Sequence, residues 1–193
     1  MVASPDPVLH LIAGPNGAGK STLAARVIVP VTHLPFVNAD VIAAQRWPGA
    51  QAEHAYEAAQ IAAGQRRDLI EARASFVTET VFSHPSKLAL IRDAHSVGYL
   101  VTLHVVLVPE DLAVARVGDR VRRGGHTVPE DKIRERYRRL WALVAAARTR
   151  AAHTRIYDNS SAATPLRLVA SYERGELVGQ ADWPAWMPLE LRA

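Results

Sequence analysis

Cysteine is absent from the 193 residues, which excludes disulfides and thiolate metal sites and agrees with a reducing compartment. Aromatic residues are scarce, at 6%, and none stands among the arginines between positions 116 and 136. A groove that stacks nucleic-acid bases is therefore poorly supported. No apolar run approaches the ~20 residues that span a bilayer. Residues 1–7 lack the basic start and apolar core of a secretory signal. Eight histidines are present, without H-E-x-x-H or any other paired ligand spacing. Repeats and low-complexity tracts are missing as well. These absences lead us to expect a soluble cytoplasmic protein with no membrane association.

What is present is an ordinary globular balance, 49% hydrophobic and 22% charged. One domain over residues 1–193 is expected, and a chain of this size buries about 70% of its unfolded surface without staples. The formal net charge is +4, but its distribution matters more than the sum. Arg116, Arg120, Arg122, Arg123, Lys132, Arg134, Arg136, Arg138 and Arg139 crowd one segment. Such a cluster can follow a nucleic-acid backbone, close over the phosphates of one nucleotide, or coat a solvated helix face.

Gly14-Pro15-Asn16-Gly17-Ala18-Gly19-Lys20-Ser21 fits G-x-x-x-x-G-K-[S/T], the phosphate-binding P-loop. The apolar run Val8–Ala13 leads into it, and a helix-capable run from Ser21 and Thr22 leaves it. Glycines let backbone N–H groups close around phosphate oxygens, and the helix N-terminus adds attraction. Lys20 is expected to reach the β/γ-phosphates and the Ser21 hydroxyl to bind Mg²⁺. ATP or GTP with Mg²⁺ is the ligand this loop predicts.

Strand and helix then alternate, which predicts an α/β fold with a mostly parallel five-stranded sheet flanked by helices. Pro30 and Pro35 bracket a turn before a short strand at Phe36-Val37-Asn38. Residues 52–73 read as a helix with Ala55, Ala59, Ala62, Leu69 and Ala72 on one face. A third strand, Ser75–Thr78, ends at Glu79-Thr80, a helix follows over Pro85–Ala94, and Tyr99–Val108 is a strand covered on both faces. After Pro109 a helix carries Val114, Val117 and Val121 on one stripe and Arg116, Arg120 and Arg123 on another. Gly124-Gly125-His126 breaks it, so that residues 116–130 read as a lid. Thr127-Val-Pro-Glu130 has capping-box spacing ahead of a helix whose inner face is Ile133, Tyr137, Leu140, Trp141 and Val144. Thr154–Tyr157 is the fifth strand. Residues 165–193 are a small hairpin (Leu166–Tyr172 with Leu177-Val178) and a Trp-bearing tail that packs over the body.

Parallel sheets bind ligands beyond the carboxyl ends of their strands, and the candidate residues stand there. Asp40 is placed to accept the proton of a substrate hydroxyl; the alternative is that it caps the helix at Val41. Glu79 is placed to hold a Mg²⁺-bound water or to orient the acceptor beside Thr80. Glu110 and Asp111 compete for that role, but the preceding Pro109 favours helix capping for them. The Arg116, Arg120, Arg123 stripe can neutralise charge during phosphoryl transfer or pair with nearby acids at the surface. His84 and His126 lie in loops that can touch substrate. Asp158-Asn159 borders the adenine or stabilises a turn.

Leu9–Thr22, Val37-Asn-Ala-Asp40, Phe76-Val-Thr-Glu79-Thr80, the arginine segment and Tyr157-Asp-Asn159 together resemble the zeta toxin family of P-loop kinases, over roughly residues 8–160. The resemblance implies a nucleoside-kinase-like fold that moves the γ-phosphate of ATP or GTP to a sugar hydroxyl, with UDP-N-acetylglucosamine as the acceptor in well-studied members and a small antitoxin as partner. It also implies Asp40 as base, Lys20 on the phosphates, Glu79 at the strand end, and Arg116, Arg120 and Arg123 as the lid set. Two departures stand out. The chain is short for the insertions that build a nucleotide-sugar pocket, and Glu79-Thr80-Val81 replaces a Glu-Gly-Thr pattern. A small-molecule kinase is the leading reading; a polynucleotide 5′-hydroxyl kinase and a non-catalytic nucleotide-gated module are the alternatives.

Overall fold

A computed structural model describes residues 6–123 and 128–192. In chain order the elements are β1 (Val8–Ala13), α1 (Lys20–Leu23), a π-helical turn (Ala24–Ile28), α2 (Val29–Thr32), β2 (Phe36–Val37), α3 (Ala39–Arg46), α4 (Ala55–Glu71) and β3 (Phe76–Thr80). They continue with α5 (Ser86–Ser96), β4 (Leu100–Leu107), α6 (Glu110–Arg122), α7 (Glu130–Arg148), β5 (His153–Asp158), β6 (Arg167–Glu173), β7 (Glu176–Val178) and a 3₁₀ turn at Leu189–Leu191.

The sheet has seven strands in the order β2-β3-β1-β4-β5-β6-β7. The first five are parallel, as the alternation of strands and helices requires. The expected five-stranded sheet with a separate hairpin is corrected here: β6 pairs antiparallel with β5, and β7 with β6, so the hairpin extends the same sheet. The edge of β5 offers unpaired backbone groups, and the hairpin satisfies them.

β1 lies between β3 and β4, which puts the turn after Ala13 at the sheet's centre. Its apolar run is buried on both faces. Leu9, Leu11 and Ala13 join one core with Leu103, Leu107, Ile156, Leu140 and Trp141. Ile12 faces a second core with Leu23, Ile28, Val106 and Ala113 under the P-loop helix and α6. On that second face His10 Nδ1 meets His104 Nε2 at 3.1 Å, and Tyr157 Oη lies 3.4 Å from His104 Nδ1.

Three further expectations shift. Pro30 is not in a turn but near the start of α2, with the π-helical turn directly before it. Proline removes the N–H that Arg26 O would accept and crowds that carbonyl; the wider turn absorbs the conflict. In α4 the buried alanines are Ala58 and Ala62, whereas Ala55, Ala59 and Ala72 are exposed. An alanine-rich helix has little moment to fix its rotation, so contacts with half-buried Ile61, Leu69 and Ile70 decide it. Glu79 and Thr80 belong to β3 itself. The inner face of α7 is as expected, Ile133, Tyr137, Leu140, Trp141 and Val144 all being buried. The tail also packs inward, through Met187 and Leu191. The break at Gly124-Gly125-His126, the contact proposed for His126 and the Thr127 cap lie outside the described residues.

Candidate active site

Lys20 is the charge around which the site is arranged. It is buried, and its Nζ donates to Pro15 O at 2.9 Å. Burial pushes the ammonium below the usual lysine range; Glu79 and Asp40 act against that shift, and Arg120 adds to it. Groups from α1, β3, α3 and α6 thus lie within electrostatic reach of one another.

The loop before Lys20 is tight because its glycines leave no alternative. Gly17 has φ 73°, and a Cβ there would stand 2.7 Å from Ala113 O and 3.2 Å from Arg116 Cβ. α6 therefore lies directly against the loop. Gly19 has φ 96°, and a Cβ there would collide with Asn159 Nδ2. That amide donates to Ala18 O at 2.7 Å, while Asn159 Oδ1 accepts from Leu166 N at 3.1 Å. Asn159 is thus a brace behind the P-loop, with both ends of its amide engaged. Asp158 holds its own turn, accepting from Ser160 N at 2.8 Å and facing Arg167 at 3.3 Å.

Ser21 Oγ donates to Glu79 Oε1 at 3.1 Å, joining α1 to β3. Burial raises the Glu79 carboxyl above its ordinary value; Lys20 and the Ser21 hydrogen bond pull it down, and Asp40 pushes it up again. Asn38 lies close by and lowers it slightly, and Asn38 Nδ2 and Glu79 Oε2 are both buried without a hydrogen-bond partner.

Asn38, and not its neighbour Asp40, caps α3. Its Oδ1 accepts from Asp40 N at 2.7 Å and Val41 N at 3.2 Å, so Asn38 is the cap of α3. Asp40 stands in the first turn, exposed, and its carboxylate makes no hydrogen bond or ion pair among the described residues. The capping alternative for Asp40 is overturned.

Other expected residues are placed elsewhere. Thr80 alternates to the face opposite Glu79, and its Oγ1 accepts from Phe82 N at 3.2 Å, shaping the turn after β3. His84 Nδ1 accepts from Ser86 N at 3.2 Å and meets Ser86 Oγ at 2.9 Å, so it holds the first turn of α5. Arg123 is exposed at the end of α6. Of the expected lid arginines, Arg116 has its Cβ packed against the loop at Gly17, and Arg120 is exposed but within electrostatic reach of Lys20. Glu110 and Asp111 face Arg134, at 3.5 and 2.8 Å, rather than the loop. Arg122 meets Asp119, Arg134 meets Glu130, and Arg139 meets Glu135. A segment whose arginines pair with its own acids is a poor continuous track for a nucleic-acid backbone.

The donor set suits a magnesium ion. Ser21 Oγ is paired with a carboxylate whose second oxygen lacks a partner. Among the described residues no group of three or more His, Asp or Glu is gathered for a metal. Magnesium bound here would rest on Ser21, water and phosphate oxygens, as that ion prefers.

A glycine-rich turn after a central parallel strand, a buried lysine and strand-end acids define a P-loop nucleotide-binding protein of the kinase type. The chain belongs to the zeta toxin family, whose model matches residues 1–165. No curated protein matches it in sequence. Among solved structures it is similar to AvrRxo1-ORF1:-ORF2 with ATP (TM-score 0.70, 19% identity, 90% of this chain and 60% of that one). It is also similar to the PezAT chromosomal toxin–antitoxin system of Streptococcus pneumoniae (0.60, 14%, 80% and 69%). A gluconokinase from Sinorhizobium meliloti 1021 matches as well (0.52, 18%, 80% and 84%). The chain spans about 60% of the length of the AvrRxo1 chains it matches. Family and fold together support a nucleotide-dependent kinase in general terms. No helix among the described residues is long and apolar enough to cross a membrane.

Proposed function

We propose that this chain transfers the γ-phosphoryl group of ATP, or GTP, to a hydroxyl of a small molecule such as a nucleotide sugar, with Asp40 as the base. The observation that carries the reading is the convergence of Lys20, Glu79, Asp40 and Arg120 beside the glycine loop. Asp40 is the exposed acid of the group. The acceptor's proton passes to the Asp40 carboxylate, its oxygen bonds to the γ-phosphorus, the bond to the β–γ bridging oxygen breaks, and the nucleoside diphosphate leaves. Lys20 neutralises phosphate charge from a fixed, buried position. Arg116 and Arg120 offset the charge that grows during transfer, with Arg123 as a further candidate at the helix end. Magnesium would be held through Ser21 and a Glu79-bound water, supplying charge neutralisation of the phosphates. A cytoplasmic location and a protein antitoxin as partner complete the reading.

The test is transfer of labelled γ-phosphate across nucleotide sugars, nucleosides, NAD and oligonucleotides. Asp40→Asn should lower the rate by about 10²–10⁴-fold and leave nucleotide affinity within about twofold of wild type, since the base is a group of the transfer step. An Asp40→Asn variant that transfers at wild-type speed refutes the base assignment. A labelled oligonucleotide as the sole product would instead favour a polynucleotide kinase.

A further inference from the structure

Apart from the glycine loop, three cations stand over one face of the sheet: Arg66 and Arg67 on α4, and Lys87 in the first turn of α5. The two helices cover the same face, since Ala58 and Ala62 of α4 and Ile91 and Ala94 of α5 share a core with Leu9 and Leu11. α4 leads into the amino end of β3 and α5 leaves its carboxyl end. Both helices therefore have their N-termini at the end of the sheet where Asp40 and Glu79 stand. Side chains on a helix lean towards its N-terminus. Arg67 shows that lean, its Nη2 lying 3.9 Å from where a Cβ on Gly64 would stand. By the same lean Arg66 and Lys87 reach towards the carboxyl end of the sheet.

Neither charge is neutralised. Arg66 and Lys87 are half-buried, and among the described residues neither makes an ion pair or a hydrogen bond. The acids of their helices are engaged or turned aside. Glu57 meets His54 and Asp93 meets Arg92, while Asp68 and Glu71 point away from Arg66, about 140–160° round the axis of α4. Burial pushes the Lys87 ammonium below the usual lysine range, and Arg66 adds to the shift. Arg66 is itself lowered by burial and then by Arg67. Lys20 differs, because Glu79 and Asp40 act against its shift. Half-buried like charges without a counter-ion are costly, and an anion seated between them relieves that cost.

We propose that Arg66 and Lys87 bind a phosphate group of the acceptor, so that the molecule phosphorylated at the site is itself a phosphate ester. The guanidinium fork suits two phosphate oxygens at once, and the ammonium adds a point charge. Both residues keep part of their surface in solvent, so an incoming anion is not shut out. The inference rests on the phosphotransfer reading for the word acceptor; the anion site itself is read without turnover.

Inorganic pyrophosphate and its smallest ester, methyl diphosphate, are titrated by calorimetry into the full chain. The glycine loop is filled beforehand with magnesium and a non-hydrolysable ATP analogue. Both anions are expected to bind one further site and to compete for it. Arg66→Gln and Lys87→Gln each weaken them by about 3- to 30-fold, the scale of a charged hydrogen bond discounted for partial exposure. Lys87→Arg restores binding, and Arg92→Gln, at an exposed arginine paired on the same helix, leaves it unaltered. Where the analogue fails to fill the loop, dependence on Arg66 and Lys87 still locates the pyrophosphate. Absence of saturable binding overturns the proposal, as does binding that neither Arg66→Gln nor Lys87→Gln weakens. Pyrophosphate binding with which methyl diphosphate does not compete assigns the site to a free anion and overturns the acceptor assignment. A chain that transfers phosphate yet fails these titrations loses this inference alone, and one that binds both anions yet transfers nothing loses the phosphotransfer reading instead.

Discussion

Asn159→Ala is the sharpest test of how the phosphate loop is held. The substitution removes two hydrogen bonds, Nδ2 to Ala18 O at 2.7 Å and Oδ1 from Leu166 N at 3.1 Å. The backbone bond from Asn159 N to Leu107 O at 2.9 Å is untouched. A typical internal hydrogen bond contributes about 0.5–1.5 kcal/mol, and a partner left unsatisfied costs about 1–3. Ala18 O sits beneath a buried loop and has no obvious substitute donor, so a loss of about 2–4 kcal/mol is expected on that scale. For a chain of this length each kcal/mol moves Tm by roughly 2–4 °C, so the melt should fall by about 5–15 °C. The loop should also lose preorganisation. If about 1.4 kcal/mol of the loss falls on its bound geometry, nucleotide Kd rises about tenfold. At a nucleotide concentration of 100 Kd for wild type, ligand stabilisation then drops from about 2.7 to about 1.4 kcal/mol. Thermal melts with and without nucleotide read both quantities. Asn159→Asp keeps the acceptor for Leu166 N but sets a carboxylate against Ala18 O, and should do no better than alanine. If Asn159→Ala melts like wild type and gives the same nucleotide-induced shift, the brace contributes nothing.

Gly17→Ala should abolish measurable nucleotide binding in isothermal titration, because the added carbon meets Ala113 O at 2.7 Å in a left-handed backbone, a conflict of about 1–3 kcal/mol before any shift of α6; unchanged affinity would show that the loop is not as tight as drawn. Glu79 is raised by burial above 4.5, so the folded chain binds a proton that the unfolded chain releases, and its contribution falls as pH rises through that window. Urea melts should show Glu79→Gln losing that slope and matching or exceeding the neutral-pH stability of the ligand-free wild type; a variant with the wild-type slope refutes this. His104 has the opposite sign. Its pKa is lowered to about 3, first by burial and then by His10 and Arg155, so the unfolded chain protonates first and stability drains as pH falls from 6.5 towards 3. The slope approaches about 1.4 kcal/mol per pH unit, and His104→Gln should flatten it in denaturant titrations; equal acid sensitivity in both proteins would refute the assignment.

The parts of the fold that could be read from the chain are those whose cause is local. Gly14–Ser21 requires glycines for its backbone and a lysine for its charge, so the loop declares itself in eight consecutive residues. Strand ends and the apolar face of α7 follow from short periodicities in side-chain polarity. Rotation was illegible in α4, where alanine-rich composition leaves the helix without a strong moment. The joining of β6 and β7 to the main sheet was illegible too, because strand pairing depends on an edge that exists only after folding.

The sequence by itself determined the nucleotide loop, the parallel α/β order and the candidate acids at the strand ends, since each rests on residues adjacent or evenly spaced along the chain. Tertiary structure alone decided that Asn38 caps α3 and leaves Asp40 unpaired, that Thr80 and His84 hold turns, and that Arg116 is the arginine packed against the loop. It also made Asn159 a brace, through a hydrogen bond to a residue 141 positions earlier. A side chain's partner at that separation is chosen by the packing of the whole sheet, and no pattern along the chain encodes which donor will meet which carbonyl.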